Sequence, residues 1–105
     1  GDIVNIASTS GMKGAATATA YAGSKWAVRG ITQCWQAELR PFNIRVGCIC
    51  PSEVQTGFGG RTGRNNPNKL YAADIAATIL AGLHLPQRVL WTELAIFATN
   101  PWKED

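Results

Sequence analysis

Short apolar runs alternate along the chain with longer segments in which apolar residues recur every three or four positions. Ile3, Val4 and Ile6 form a β-branched run within Gly1 to Ala7 that ends in the polar residues Ser8, Thr9 and Ser10. This predicts a buried strand opening into a loop. Between Thr19 and Arg40, the positions Val28, Ile31, Trp35 and Leu39 follow helical spacing, with Ala27 and Cys34 beside them. They predict one stripe of an amphipathic helix, stopped at Pro41, whose ring cannot continue the hydrogen-bond ladder. A second run, Ile44 to Cys50, is nearly continuous in its apolarity and is ended by Pro51. That pattern predicts a parallel strand covered on both faces, so strand, helix and strand form a βαβ crossover.

Thr56 to Lys69 is crowded with Gly and Asn, which predicts a long loop of the kind tied to binding, here a lid candidate. Ala73 to Leu85 carries Ile75, Ile79, Leu80 and Leu83 at helical spacing, with Asp74 near its start and Pro86 just past its end. Val89 to Ala98 reads as a third strand, and Asn100 to Asp105 as a polar terminus. The order β-α-β-loop-α-β belongs to an α/β fold with an open, doubly wound parallel sheet. Three strands are too few to cover two full layers of helix, one on each face, so half of the sheet is expected to be absent.

Composition narrows the class. With 105 residues, a formal charge of +3, 46% hydrophobic and 16% charged residues, the chain is one domain at most and is not a disordered tail. Arg29, Gln33, Glu38, Arg40 and Arg45 interrupt its most hydrophobic stretch, which argues against a membrane span. The start at Gly1, without an initiator Met or a cationic leader, reads as a fragment or a processed piece. Cys34, Cys48 and Cys50 are odd in number, and the C-x-C pair is expected to point to opposite faces of its strand. Buried reduced thiols in a cytoplasmic protein, with neither disulfide nor metal, is the reading adopted. The basic residues are scattered apart from Arg61, Arg64 and Lys69, which read as a solvated loop, so nucleic acid is not an expected partner.

Tyr21 and Lys25 are four residues apart near the start of the first helix, so their side chains project from one face, a turn apart. A cation beside a phenol favours phenolate and brings the group towards a working pH for proton exchange with an alcohol or carbonyl. Ser8 stands at the end of the first strand, and Pro51-Ser52-Glu53-Val54-Gln55-Thr56 at the end of the second. Ligand chemistry in open parallel sheets gathers at the carboxyl ends of strands. Four polar features therefore converge on one edge of one sheet.

These residues closely resemble the carboxyl-terminal half of the classical short-chain dehydrogenase/reductase family. The resemblance rests on Ile3-Val4-Asn5-Ile6-Ala7-Ser8, Tyr21-Ala22-Gly23-Ser24-Lys25, Ala27-Val28, Glu38-Leu39, Asn43-Ile44-Arg45-Val46 and Pro51 to Thr56, and covers nearly the whole chain. It implies a Rossmann-type fold, with residues 1–105 a partial domain carrying the catalytic segment. It implies hydride transfer between NADP or NAD and a small-molecule carbonyl or hydroxyl. Ser8 would hydrogen-bond the substrate oxygen, Tyr21 would be the acid/base, and Lys25 would bind the nicotinamide ribose and lower the Tyr21 pKa. The carboxamide would be held around Val54 and Thr56, beside Pro51 and Ser52. Among subgroups the chain is similar to 3-oxoacyl-(acyl-carrier-protein) reductases and to hydroxy-acid or serine dehydrogenases. The family's subunits commonly pair through the long helix and the terminal helix and strand, which implies a homodimer or homotetramer.

Two departures qualify the match. Pro51-Ser52 stands where the family commonly has Pro-Gly, placing a side chain where close cofactor approach is usual. The glycine-rich phosphate loop, the residue that sorts NAD from NADP and the family's catalytic asparagine are not in this sequence, and Gly57, Gly59, Gly60 and Gly63 are no substitute. The chain alone is therefore expected to hold a dinucleotide poorly. Two other readings stay open: a catalytically silent piece serving assembly, and an extended member acting on nucleotide sugars. The short region after Pro51 to Thr56 argues against the latter. His84 is read as a helix-terminus residue, and Trp26, Trp35, Trp91 and Trp102 as core or interface residues.

Overall fold

A computed structural model describes residues 1–9, 19–55 and 66–103. In chain order the elements are β1 (Asp2–Ile6), α1 (Thr19–Leu39), a 3₁₀ turn (Arg40–Phe42), β2 (Arg45–Pro51), β3 (Val54–Gln55), β4 (Leu70–Tyr71), α2 (Ala72–Leu83) and β5 (Glu93–Ile96). The main sheet has the order β1-β2-β5 with both pairings parallel. Ile3 lies beside Val46, and Cys48 beside Glu93.

The apolar run of β2 has the cause its pattern predicts, because the strand is central and buried from Arg45 to Cys50. Cys48 and Cys50 pack with Ala7 and Val28, while Ile49 packs with Leu70, Ile75, Ile79 and Leu94. Successive residues of a strand face opposite ways, so α1 covers one face of the sheet and α2 the other. This is the doubly wound α/β arrangement.

The same periodicity corrects the expectation for the cysteines. Cys48 and Cys50 are two residues apart and therefore share a face, with their sulfurs 3.9 Å apart. Burial pushes the Cys50 thiol up to about 12, reinforced by Cys48.

On α1 the predicted apolar stripe divides. Ala22 and Thr32 are buried and Val28 and Leu39 half-buried, whereas Ile31 (46% exposed) and Trp35 (38%) face outward. Small residues let the helix sit close to the sheet. Thr32 belongs there because its hydroxyl is satisfied, donating to the Val28 carbonyl at 2.7 Å and accepting from Asn5 Nδ2 at 2.9 Å.

The third strand is shorter than the expected Val89 to Ala98, and the reason is Arg45. Its guanidinium is buried and donates to the carbonyls of Leu83 (3.0 Å), Leu85 (3.1 Å), Pro86 (3.2 Å) and Val89 (3.1 Å), and to Asp2 Oδ1 at 2.6 Å. Those carbonyls follow or end α2, where backbone acceptors lack helical partners. The segment through Val89 is thereby curled around a side chain before pairing begins at Glu93. His84 caps α2, its N–H donating to the Leu80 carbonyl at 3.0 Å.

Trp91 fills the space between β2 and α2. A Cβ on Gly47 would lie 2.6 Å from its ring, and one on Gly82 2.5 Å from its indole nitrogen. With a glycine on each side the ring has nowhere to retreat. Gly47→Ala is expected to destabilise the full protein by about 1–3 kcal/mol through overpacking. Chemical denaturation checks this, and an unchanged midpoint would contradict the sandwich. Trp26, Trp35 and Trp102 are exposed and contribute no comparable core packing.

Candidate active site

The direction of α1 decides where its first turns lie. Gln36, late in the helix, donates to the Val46 carbonyl near the start of β2, at 2.9 Å. Arg29 meets Glu93, and Val28 packs on Ala7, Cys48 and Cys50 further along the strands. The helix thus runs antiparallel to the sheet. Its first two turns, with Tyr21 and Lys25, lie towards the carboxyl edge.

Lys25 Nζ stands 5.6 Å from the centre of the Tyr21 ring, one helical turn away. Tyr21 is 41% exposed and Lys25 half-buried, so the phenol is open to a ligand while the ammonium is partly sheltered. Ser24, between them, turns its hydroxyl back to the Tyr21 carbonyl at 2.8 Å. It thereby supports the first turn.

Ser8 is buried (9% exposed) just past β1, whose ladder is extended by Ala7 N–H donating to the Ile49 carbonyl at 2.8 Å. Pro51 and Ser52 are half-buried at the end of β2, where Ser52 N–H donates to the Ile96 carbonyl at 2.8 Å. Val54 is half-buried in β3. Ser8, Tyr21, Lys25, Pro51, Ser52 and Val54 therefore belong to strand ends, or to the helix start, at one side of the sheet. Thr56 lies outside the described residues, as does most of the Thr56 to Lys69 segment read as a lid.

The base of that segment is built by two short strands that the hydrophobic pattern does not predict. β3 and β4 pair in parallel, Val54 with Leu70 and Gln55 with Tyr71. Gln55 Nε2 donates to the carbonyls of Asn66 (2.9 Å), Lys69 (3.2 Å) and Leu70 (3.3 Å), and its Oε1 accepts from Asn66 N–H at 2.6 Å. Two-residue strands leave too short an apolar pattern to be read. The long-range partners of one glutamine leave no trace in sequence at all. A second missed cluster, Arg29, Cys48, Cys50 and Glu93, lies between α1 and the sheet; a period-two reading of C-x-C would have signalled half of it.

Among the described residues no helix is long and apolar enough to cross a membrane. The model of the short chain dehydrogenase family matches residues 1–67. An uncharacterized oxidoreductase of Staphylococcus saprophyticus is 38% identical over 96 residues, 91% of this chain and 41% of that protein. The closed form of serine dehydrogenase complexed with NADP+ superposes with a TM-score of 0.82 at 26% identity, over 91% of this chain and 43% of that one. A 4-hydroxyisoleucine dehydrogenase complexed with NADH gives a TM-score of 0.78 at 27% identity, over 93% of this chain and 45% of that one. The chain spans less than half the length of these proteins. With more than half of its residues matched by the family and its parallel sheet shared with these dehydrogenases, the chain belongs to the short-chain dehydrogenase family.

Proposed function

We propose that residues 1–105 are the catalytic part of an NAD(P)-dependent oxidoreductase that interconverts a small-molecule hydroxyl and carbonyl, of hydroxy-acid or 3-oxoacyl type. The observation that carries this reading is the Tyr21–Lys25 pair, 5.6 Å from ammonium to ring, on the first turns of a helix that starts at the carboxyl edge of a parallel sheet. The serine and 4-hydroxyisoleucine dehydrogenase neighbours, with NADP+ and NADH, support the cofactor class.

The residues present fit the nicotinamide end of the cofactor. Lys25 would hold the ribose, and Pro51, Ser52, Val54 and Thr56 would line the carboxamide. For the pyrophosphate end they offer no matching cradle, since no glycine among the described residues opens a helix directly after a strand. The nicotinamide, when bound, supplies the redox chemistry. Ser8 donates a hydrogen bond to the substrate oxygen and fixes it beside the Tyr21 hydroxyl. Tyr21 gives its proton to that oxygen on reduction and takes it back on oxidation. Lys25 keeps its ammonium one turn from the phenol, 5.6 Å from the ring centre, where it can hold the ribose beside the Tyr21 hydroxyl. The outward Ile31 and Trp35 serve as a contact between subunits of a homodimer or homotetramer.

Lys25→Ala in the full protein is expected to weaken dinucleotide binding about 10–100-fold, the loss of a charged hydrogen bond of about 1.5–3 kcal/mol. Fluorescence titration with NADH and NADPH measures it. Unchanged affinity for both would defeat the reading of Lys25 as a ribose ligand.

A further inference from the structure

We propose a site for a soft divalent cation of the zinc class, formed by the sulfurs of Cys48 and Cys50 and the carboxylate of Glu93. It makes no use of Ser8, Tyr21 or Lys25.

The backbone brings the three ligands together. Cys48 and Cys50 share a strand face, and the parallel register sets Glu93 beside Cys48 on the neighbouring strand. The two sulfurs are 3.9 Å apart, and Cys50 Sγ lies 3.7 Å from Glu93 Oε1. A tetrahedral ion with metal–sulfur bonds of about 2.3 Å and metal–oxygen bonds of about 2.0–2.2 Å requires a sulfur–sulfur edge of about 3.8 Å and a sulfur–oxygen edge of about 3.5–3.7 Å. Two of the three edges are thus already at their coordinated length. All three ligand atoms lie within 4.8 Å of one another, so a small adjustment of the side chains closes the triangle.

Charge and space agree with this assignment. Coordination displaces one proton from each thiol to solvent, leaving two thiolates and a carboxylate around a dication, with a net charge of minus one. Arg29, bonded to both oxygens of Glu93, brings the cluster to neutrality and orients the carboxylate as an outer partner would. Next to the cluster is a cavity of about 260 Å³ lined by Cys48, Glu93, Thr32 and Gln36 among others. That volume accommodates a water as fourth ligand. Carboxylate with two thiolates is a donor set for zinc-class ions rather than for magnesium or calcium, which take oxygen.

The test is a cadmium titration of the full protein with its cysteines reduced, followed by thiolate-to-cadmium ultraviolet absorption and by cadmium NMR, whose shift reports the number of sulfur ligands. The expected result is one equivalent bound with two sulfurs, retained in Cys34→Ser and lost in Cys48→Ser and in Cys50→Ser. Glu93→Gln is expected to weaken binding at least about tenfold, as loss of a charged ligand does. Absence of the absorption band, a shift reporting fewer than two sulfurs, or loss of binding in Cys34→Ser would each overturn the site. The NMR readout on the unmodified protein decides the matter even if a cysteine variant fails to fold.

Discussion

Tyr21→Phe in the full protein is expected to lower turnover by about 10²–10⁴-fold, the range that a positioned acid/base contributes. In free-energy terms this is about 3–5 kcal/mol of transition-state stabilisation. The substitution removes one oxygen and leaves the ring, so the first turn of α1, supported by Ser24 on the Tyr21 carbonyl, keeps its form. Dinucleotide affinity should be nearly unchanged, because Lys25 rather than the phenol is assigned to the ribose. The separation of the two effects is the informative part. Steady-state kinetics and a cofactor titration on the same preparation measure it. Near-normal turnover would remove Tyr21 from the chemistry, and a parallel loss of cofactor affinity would mean that the first turn itself had been disturbed.

Arg45→Ala carries the largest expected effect on stability. The guanidinium is buried and joins three parts of the fold: Asp2 at the start of β1, its own strand β2, and the carbonyls of Leu83, Leu85, Pro86 and Val89 around the end of α2. Truncation takes the partner from the Asp2 carboxylate and a charged donor from four backbone carbonyls, of which Pro86 keeps the Val89 N–H. Loss of several charge-assisted hydrogen bonds at once, each worth about 1.5–3 kcal/mol, costs about 3–5 kcal/mol in all. At about 2–4 °C per kcal/mol for a domain of about 150–250 residues, the melting temperature of the full protein should fall by roughly 10 °C. Arg45→Lys should recover only part of the loss, since one ammonium cannot reach acceptors spread around a planar fork. Calorimetry or urea unfolding of both variants tests this. A loss below about 1 kcal/mol in Arg45→Ala, the range of exposed ion pairs, would show that the network does not hold the fold.

The β1–α1–β2 crossover was legible because each element carries its own periodicity and because β2 is apolar on both faces. Tyr21, Lys25 and Ser8 were legible as candidates for a related reason. A fixed spacing on a helix and a position at the end of a strand are local properties, and parallel topology converts them into a common edge. Asp74 was placed correctly as a helix-start residue, since its carboxylate accepts from Tyr71 N–H at 2.7 Å.

The remainder depended on partners distant in sequence. Helical spacing predicts the stripe Val28, Ile31, Trp35 and Leu39; Val28 and Leu39 are half-buried as expected, but Ala22 and Thr32 are buried while Ile31 and Trp35 face outward. Close approach favours small side chains, and Thr32 becomes tolerable inside only because Asn5, on another element, donates to its hydroxyl. Apolarity along one helix cannot register a hydrogen bond from a strand. The third strand was read too long for the same reason, since nothing in Val89 to Thr92 records that Arg45 takes the Val89 carbonyl.

The amino-acid sequence by itself determined the two helices, the three longer strands and their parallel sense, and the residues offered at the carboxyl edge, because these follow from periodicity and handed connection. Tertiary structure alone decided which face of α1 packs, where β5 begins, and that Cys48, Cys50, Glu93 and Arg29 meet. Register between strands and the satisfaction of buried polar groups are properties of pairs of segments, and no single segment contains them.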